Sequence, residues 1–165
     1  MITTPNANKI WQLYTGKITS ITGKGKCYLG FSSTKPNNDG TNFTEPTSDD
    51  YKRIRLNILE GSKWTDVLGT INADGATSNE VTDGKVTNIE ELCTAECVTE
   101  GGWPEFSHFG IFDCSEEGTP LAFDLLTDPD AEPDETTGKR PAKTLKVEYK
   151  HVAVFRKGTL TLSFI

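Results

Sequence analysis

Positive charge is scarce in this chain. Lys and Arg number 17 against 24 Asp and Glu, a net charge of −7. Gripping a phosphate backbone needs clustered cations, so no nucleic-acid partner is expected. The locally basic stretches 139–146 and 150–157 read as solvated strand edges. Long apolar runs are missing too, which excludes an apolar helix of membrane-spanning length and argues against a membrane partner. The opening MITTPNANKIW has no basic n-region and no apolar h-region, so no export signal is expected.

The usual marks of chemistry are also thin. No G-x-S-x-G is present, so the chain has no nucleophile elbow. NNDGTN and DPDAEPDE are rich in oxygen ligands, but neither has EF-hand spacing. TGKGK at 22–26 lacks the first glycine and the Ser/Thr of a phosphate loop. His108 sits in a predicted strand and reads as a partly buried, hydrogen-bonded residue. His151 reads as a surface residue. The acids Glu105, Asp113 and Asp124 fall near strand ends, where turn-forming roles are commoner than paired-carboxylate catalysis. No catalytic residue, cofactor or metal ligand is expected.

The four cysteines are Cys27, Cys93, Cys97 and Cys114. Cys93 and Cys97 are spaced C-x3-C, and the other two stand alone. A four-cysteine zinc site would have two close pairs. Free, buried thiols are the expectation.

What is present is turn chemistry and short strands. The chain has 165 residues, 15 of them Gly and 8 Pro, which suits one turn-rich domain. ANKIWQLYTG, residues 7–16, has Ile10, Leu13 and Tyr14 at helical spacing and predicts a short helix. KCYLGFSS predicts a strand, and a long polar loop follows it to Thr47. YKRIRLNI alternates, which predicts Tyr51 and Arg53 on an outward face opposite Ile54 and Leu56. Residues 72–84 predict an exposed loop or wide hairpin. NIEELCTAEC admits either a helical turn or strand ends. SHFGIFDCS has bulk on both faces and predicts a central strand, and LAFDLLT should complete a hairpin with it.

Residues 128–142, with Pro129, Pro133 and Pro141 among acids, predict an exposed loop. TLKVEYKHVAVF predicts a strand with Leu145, Val147 and Tyr149 inward, and TLTLSFI a closing one. The fold class expected is all-β: an antiparallel, jelly-roll-like β-sandwich over 27–165. An N-terminal segment, 1–26, carries the short helix.

The order of these features resembles small tailed-phage virion proteins of a tail or tail-fibre type. CYLGFSSTKPNNDGTNFTEPTSDDYKRIRL is similar to that family's strand, proline, xxGxxxTEP and GYxRxxL succession. The matches are Tyr28 to Thr34, Pro36, Gly40, Thr44-Glu45-Pro46 and Tyr51-Lys52-Arg53. WPEFSHFGIFDCSEEGTPLAF is similar to a WGTxTHFAIYD segment through Trp103 and His108 to Asp113. VFRKGTLTLSF looks like its closing hairpin.

The resemblance implies a non-enzymatic structural protein of a bacteriophage virion, on the tail or decorating the head, assembled in the host bacterial cytoplasm. Its expected partners are other copies of itself and other phage virion proteins. The interface or loop candidates are Pro36, Phe43, Glu45, Pro46, Tyr51, Arg53 and Trp103, with Phe43 expected to peg the loop to the core or a neighbour. The alternative is a carbohydrate-binding module that meets host surface glycans through Trp11, Trp64, Trp103 and the Asn/Asp-rich loops. Trp103 is expected to pack at the core edge, with an exposed ring as the other reading.

Overall fold

In the computed structural model, residues 2–8, 27–56, 85–87, 91–128, 130–156, 159 and 161–163 are described. They form eight strands: β1 (Cys27–Ser32), β2 (Ile54–Leu56), β3 (Lys85–Thr87), β4 (Leu92–Cys93), β5 (His108–Phe112), β6 (Ala122–Leu125), β7 (Val154–Phe155) and β8 (Thr161–Ser163). Every pairing among them is antiparallel. One four-stranded sheet has the order β2-β1-β5-β6, and β3-β8 and β4-β7 form two-stranded ribbons. The fold is therefore all-β with a short helix, at residues 4–8. Most of the helix expected over 7–16, with Trp11, lies outside the described residues. So do Trp64 and the loop 72–84.

β5 is the centre of the sheet, as its two-sided bulk predicts. All five of its residues are buried, and it pairs with β1 from Tyr28↔Phe112 to Ser32↔His108. Its other edge carries β6 in the expected hairpin. Side chains alternate across these strands. Leu29, Phe31, Phe109 and Ile111 enter the main core with Leu56, Trp103, Phe106 and Val147. Phe31 stacks on Phe155 at 5.3 Å and meets Phe106 at 5.7 Å between ring centroids. Burying one such ring is worth roughly 1.5–3 kcal/mol. The opposite face of β1 and β5 carries Gly30, Gly110 and Phe112. The loop between β1 and β2 lies over it.

Three expectations are corrected. The strand predicted from Tyr51 begins only at Ile54, and Tyr51 and Arg53 point inward. Alternation assigns faces only inside a strand, and 51–53 precede it. The long strand expected over 144–155 is broken. Leu145 makes an isolated bridge to Phe106. The chain then turns at Lys150, which has φ +63°, and Tyr149 is exposed. A left-handed residue cannot continue a strand. Finally, Cys93 is exposed, Cys114 half-buried and Cys97 fully buried, all three as free thiols. Cys93 sits on the outer side of β4, with its neighbours Leu92 and Thr94 turned inward.

Residues 91–98 contain the short strand β4 and no helix, so the strand reading of that stretch holds there. Residues 130–142 are exposed apart from a half-buried Ala131, as expected of a polar loop. Asp134 tightens it by accepting the Thr136 and Thr137 amides at 3.1 and 2.7 Å.

Candidate functional site: the loop over the sheet

The loop that follows β1 is fastened by its own side chains. The Asn37 amide donates to the Thr41 carbonyl and the Gly40 amide to the Asn37 carbonyl, at 2.8 and 2.9 Å. Asp39 Oδ1 accepts the Thr41 amide at 2.9 Å and its hydroxyl at 2.7 Å. This is the Asx turn that Asp favours, and the Thr41 groups hold the Asp39 carboxyl below its ordinary pKa. Gly40, after Asn38-Asp39, has φ +87°, a left-handed conformation that glycine adopts without strain. Pro36 is buried and Pro46 half-buried.

Phe43 and Glu45 reach down onto the sheet where two glycines leave room. A Cβ on Gly110 would come within 2.6 Å of the Phe43 ring, and one on Gly30 within 2.5 Å of Glu45 Oε1. Phe43 meets Phe112 edge-on at 5.1 Å. Glu45 takes a bidentate pair from Arg53. Nε lies 3.0 and 3.1 Å from its two oxygens, and Nη2 is 2.6 Å from Oε2.

The Arg53 side chain is 3% exposed, so its remaining donors need partners. Nη1 donates to the carbonyls of Cys114 and Glu117 at 3.0 and 2.8 Å. Its guanidinium carbon lies 3.4 Å from the Phe112 ring centroid, a cation–π contact. Burial opposes the Arg53 charge, but the bonds and charge of Glu45 more than offset it and hold its pKa above the usual value.

Tyr51 explains why β2 can be so short. β2 pairs with β1 only as far as Leu29↔Ile54, so the Phe31 amide has no strand partner on that side. The Tyr51 hydroxyl accepts that amide at 2.8 Å and donates to Glu45 Oε1 at 2.9 Å. A buried N–H is thereby satisfied. Burial, followed by the Glu45 charge, pushes the Tyr51 pKa up and keeps the phenol protonated. Its ring packs against Trp103 at 5.3 Å and Phe106 at 6.2 Å.

Asp50, which sequence reasoning passed over, is a second fastening. It accepts the Val98 amide at 2.6 Å, the Thr99 amide at 3.0 Å, the Thr99 hydroxyl at 2.9 Å and the Trp103 indole N–H at 3.2 Å. Burial works against its charge, but the hydrogen bonds from Thr99, Val98 and Trp103 prevail and hold its carboxyl well below the usual range. A signal existed: an acid beside Tyr51 in the sequence, and an indole N–H in EGGWPEF that needs an acceptor once buried.

The sequence candidates thus separate. Glu45, Tyr51 and Arg53 come together with Phe43 above the sheet. Trp103 is 3% exposed and faces the core, so its ring offers no platform to a ligand or neighbour. His108 is buried, with Nδ1 2.8 Å from the Ser107 hydroxyl. Burial, mainly, lowers its pKa. His151 is exposed. The carboxylates of the catalytic alternative are engaged separately. Glu105 accepts the Thr144 hydroxyl and Asp124 the Leu125 amide. Among the described residues no His/Cys/Asp/Glu group is arranged to hold a metal ion.

Among the described residues, the network of Glu45, Tyr51 and Arg53 fastens a loop to its own sheet. The family model described as podophage GP4 fiber I protein gp80 matches residues 1–148. The chain belongs to that family and is a phage tail structural protein of the fibre type, a component of the virion. No curated protein matches it.

Proposed function

We propose that the chain is a non-enzymatic tail-fibre subunit that works by assembly, joining other virion proteins and copies of itself through loops and strand edges. The observation that supports this most is the family match over 1–148. The geometry agrees with it. Glu45, Tyr51 and Arg53 are engaged with one another and with backbone groups, which fastens the loop to the domain. Mass spectrometry of purified particles tests the reading. The chain is expected at a fixed ratio to the other tail proteins, and its absence from infectious particles would contradict the reading.

A glycan-binding role in host attachment is the second reading. Its support is an open depression of about 670 Å³ lined by Thr4, Lys35, Pro36, Asn37, Asn38 and Asp39. The lining supplies amide and hydroxyl groups but no aromatic ring. A glycan array with no hits removes this role.

A further inference from the structure

We propose that the ribbon built on β4 and β7 is the surface through which copies of this chain associate, about a rotation axis parallel to its strands. This rests on the fibre reading above and names the partner and the face.

The ribbon extends beyond its two paired residues on each side. The Thr94 amide donates to the Ala153 carbonyl at 3.0 Å, and the Ala153 amide to the Thr94 hydroxyl at 2.9 Å. The Cys97 amide then reaches the His151 carbonyl at 2.9 Å, and the Lys150 amide the Cys97 carbonyl at 2.7 Å. Leu92, Thr94, Cys97 and Ala153 are buried on the inner face. The alternate positions look outward. Cys93 lies opposite Val154, Val152 is next along the strand, and Val98 and Tyr149 sit at the far end.

Among the described residues five large apolar side chains are exposed, and four of them are here: Val98 at 58%, Val154 at 47%, and Val152 and Tyr149 at 45% each. Single exposed valines are ordinary, but four of five exposed large apolar side chains gathered on one ribbon point to an interaction surface.

Charge identifies the occupant. Residues 91–100 carry Glu91, Glu96 and Glu100 and no Lys or Arg. Residues 149–156 carry Lys150 and Arg156 and no acid. The ribbon therefore has one acidic and one basic edge with an apolar strip between them. Such a face complements itself. Rotation about an axis parallel to the strands, apolar faces inward, sets the acidic edge of each copy beside the basic edge of the next. A twofold axis across the strands would set like charges together, which is unfavourable. Closed rotational symmetry is the usual solution for identical subunits.

Sedimentation velocity of the full chain over a concentration series tests this. Wild type is expected to self-associate, and the Val152→Asp/Val154→Asp variant to stay monomeric with an unchanged circular dichroism spectrum. Charge exchange covers the case in which that variant misfolds. Glu96→Lys and Lys150→Glu should each weaken association by about tenfold, and the two together should restore it. A wild-type chain that stays monomeric at every concentration overturns the proposal. So does undiminished association of the valine variant, or a double exchange no better than the singles. A monomer that binds a different virion protein through this face also overturns it. Particle mass spectrometry separates the two readings. Wild-type chain in virions with the ribbon variants still associating refutes only the surface. Wild-type chain missing from virions refutes the fibre reading itself.

Discussion

The loop over the sheet and the β4–β7 ribbon handle their side chains in opposite ways. Over the sheet, charged and aromatic groups turn inward and find partners: Arg53 is bound to Glu45 and to two carbonyls. On the ribbon, Val152 and Val154 turn outward, while the inner positions reach the core. Polar residues in a distinctive pattern were the natural interface candidates, yet they hold the domain together. The exposed apolar stripe lies where the pattern is least distinctive. A motif can thus be specific because a loop needs it.

Substitutions can break this contrast, and the largest effect should come from Arg53→Ala. It strands the half-buried Glu45 carboxylate and leaves two carbonyls without their donor. Removing one partner of a buried pair costs about 3–5 kcal/mol, read as a lower denaturant midpoint. Asp50→Ala should cost about 1–3 kcal/mol, because the Trp103 indole and the Val98 and Thr99 amides lose their acceptor.

Asp50 also carries a pH signature. Its carboxyl pKa is depressed in the folded state from an ordinary 3.8. Its stabilisation is therefore present above pH 3.8 and lost as pH falls below it towards the folded value. A melting-temperature series from neutral pH into acid should show a steep acid limb in wild type and a shallower one in Asp50→Asn. Equal slopes would remove Asp50 from the account.

Gly110→Ala sharpens the contrast on the sheet side. The new Cβ meets the Phe43 ring at 2.6 Å, so overpacking should cost about 1–3 kcal/mol. Gly110→Ala combined with Phe43→Leu should lose less than the two single costs summed. The smallest stability effect belongs to Val152→Thr on the ribbon, within about 0.5 kcal/mol, since the side chain is exposed. Its effect should appear in self-association instead.

The sheet was largely legible in the sequence. β1, β5 and β6 have clear β-formers, turn signals at their ends and, for β5, bulk on both faces. The crossover was legible as a long polar loop between two strands. What its acids and cations do was not. Period-two alternation placed Tyr51 and Arg53 outward because it presumed a strand already formed. Tertiary pairing with Glu45 and the unpaired Phe31 amide decided otherwise. Tyr149 went wrong the same way, since nothing local announces the left-handed turn at Lys150. Asp50 was passed over because its partners lie about 50 residues away in the chain, and the indole of Trp103 alone does not say which acid it meets.

Hydrogen–deuterium exchange on the assembled and the dissociated chain tests the central contrast most directly. On assembly, amides of 91–98 and 149–155 should gain protection, while those of 33–53 keep the protection they have in the dissociated chain. New protection confined to 33–53, with the ribbon unchanged, would contradict the account.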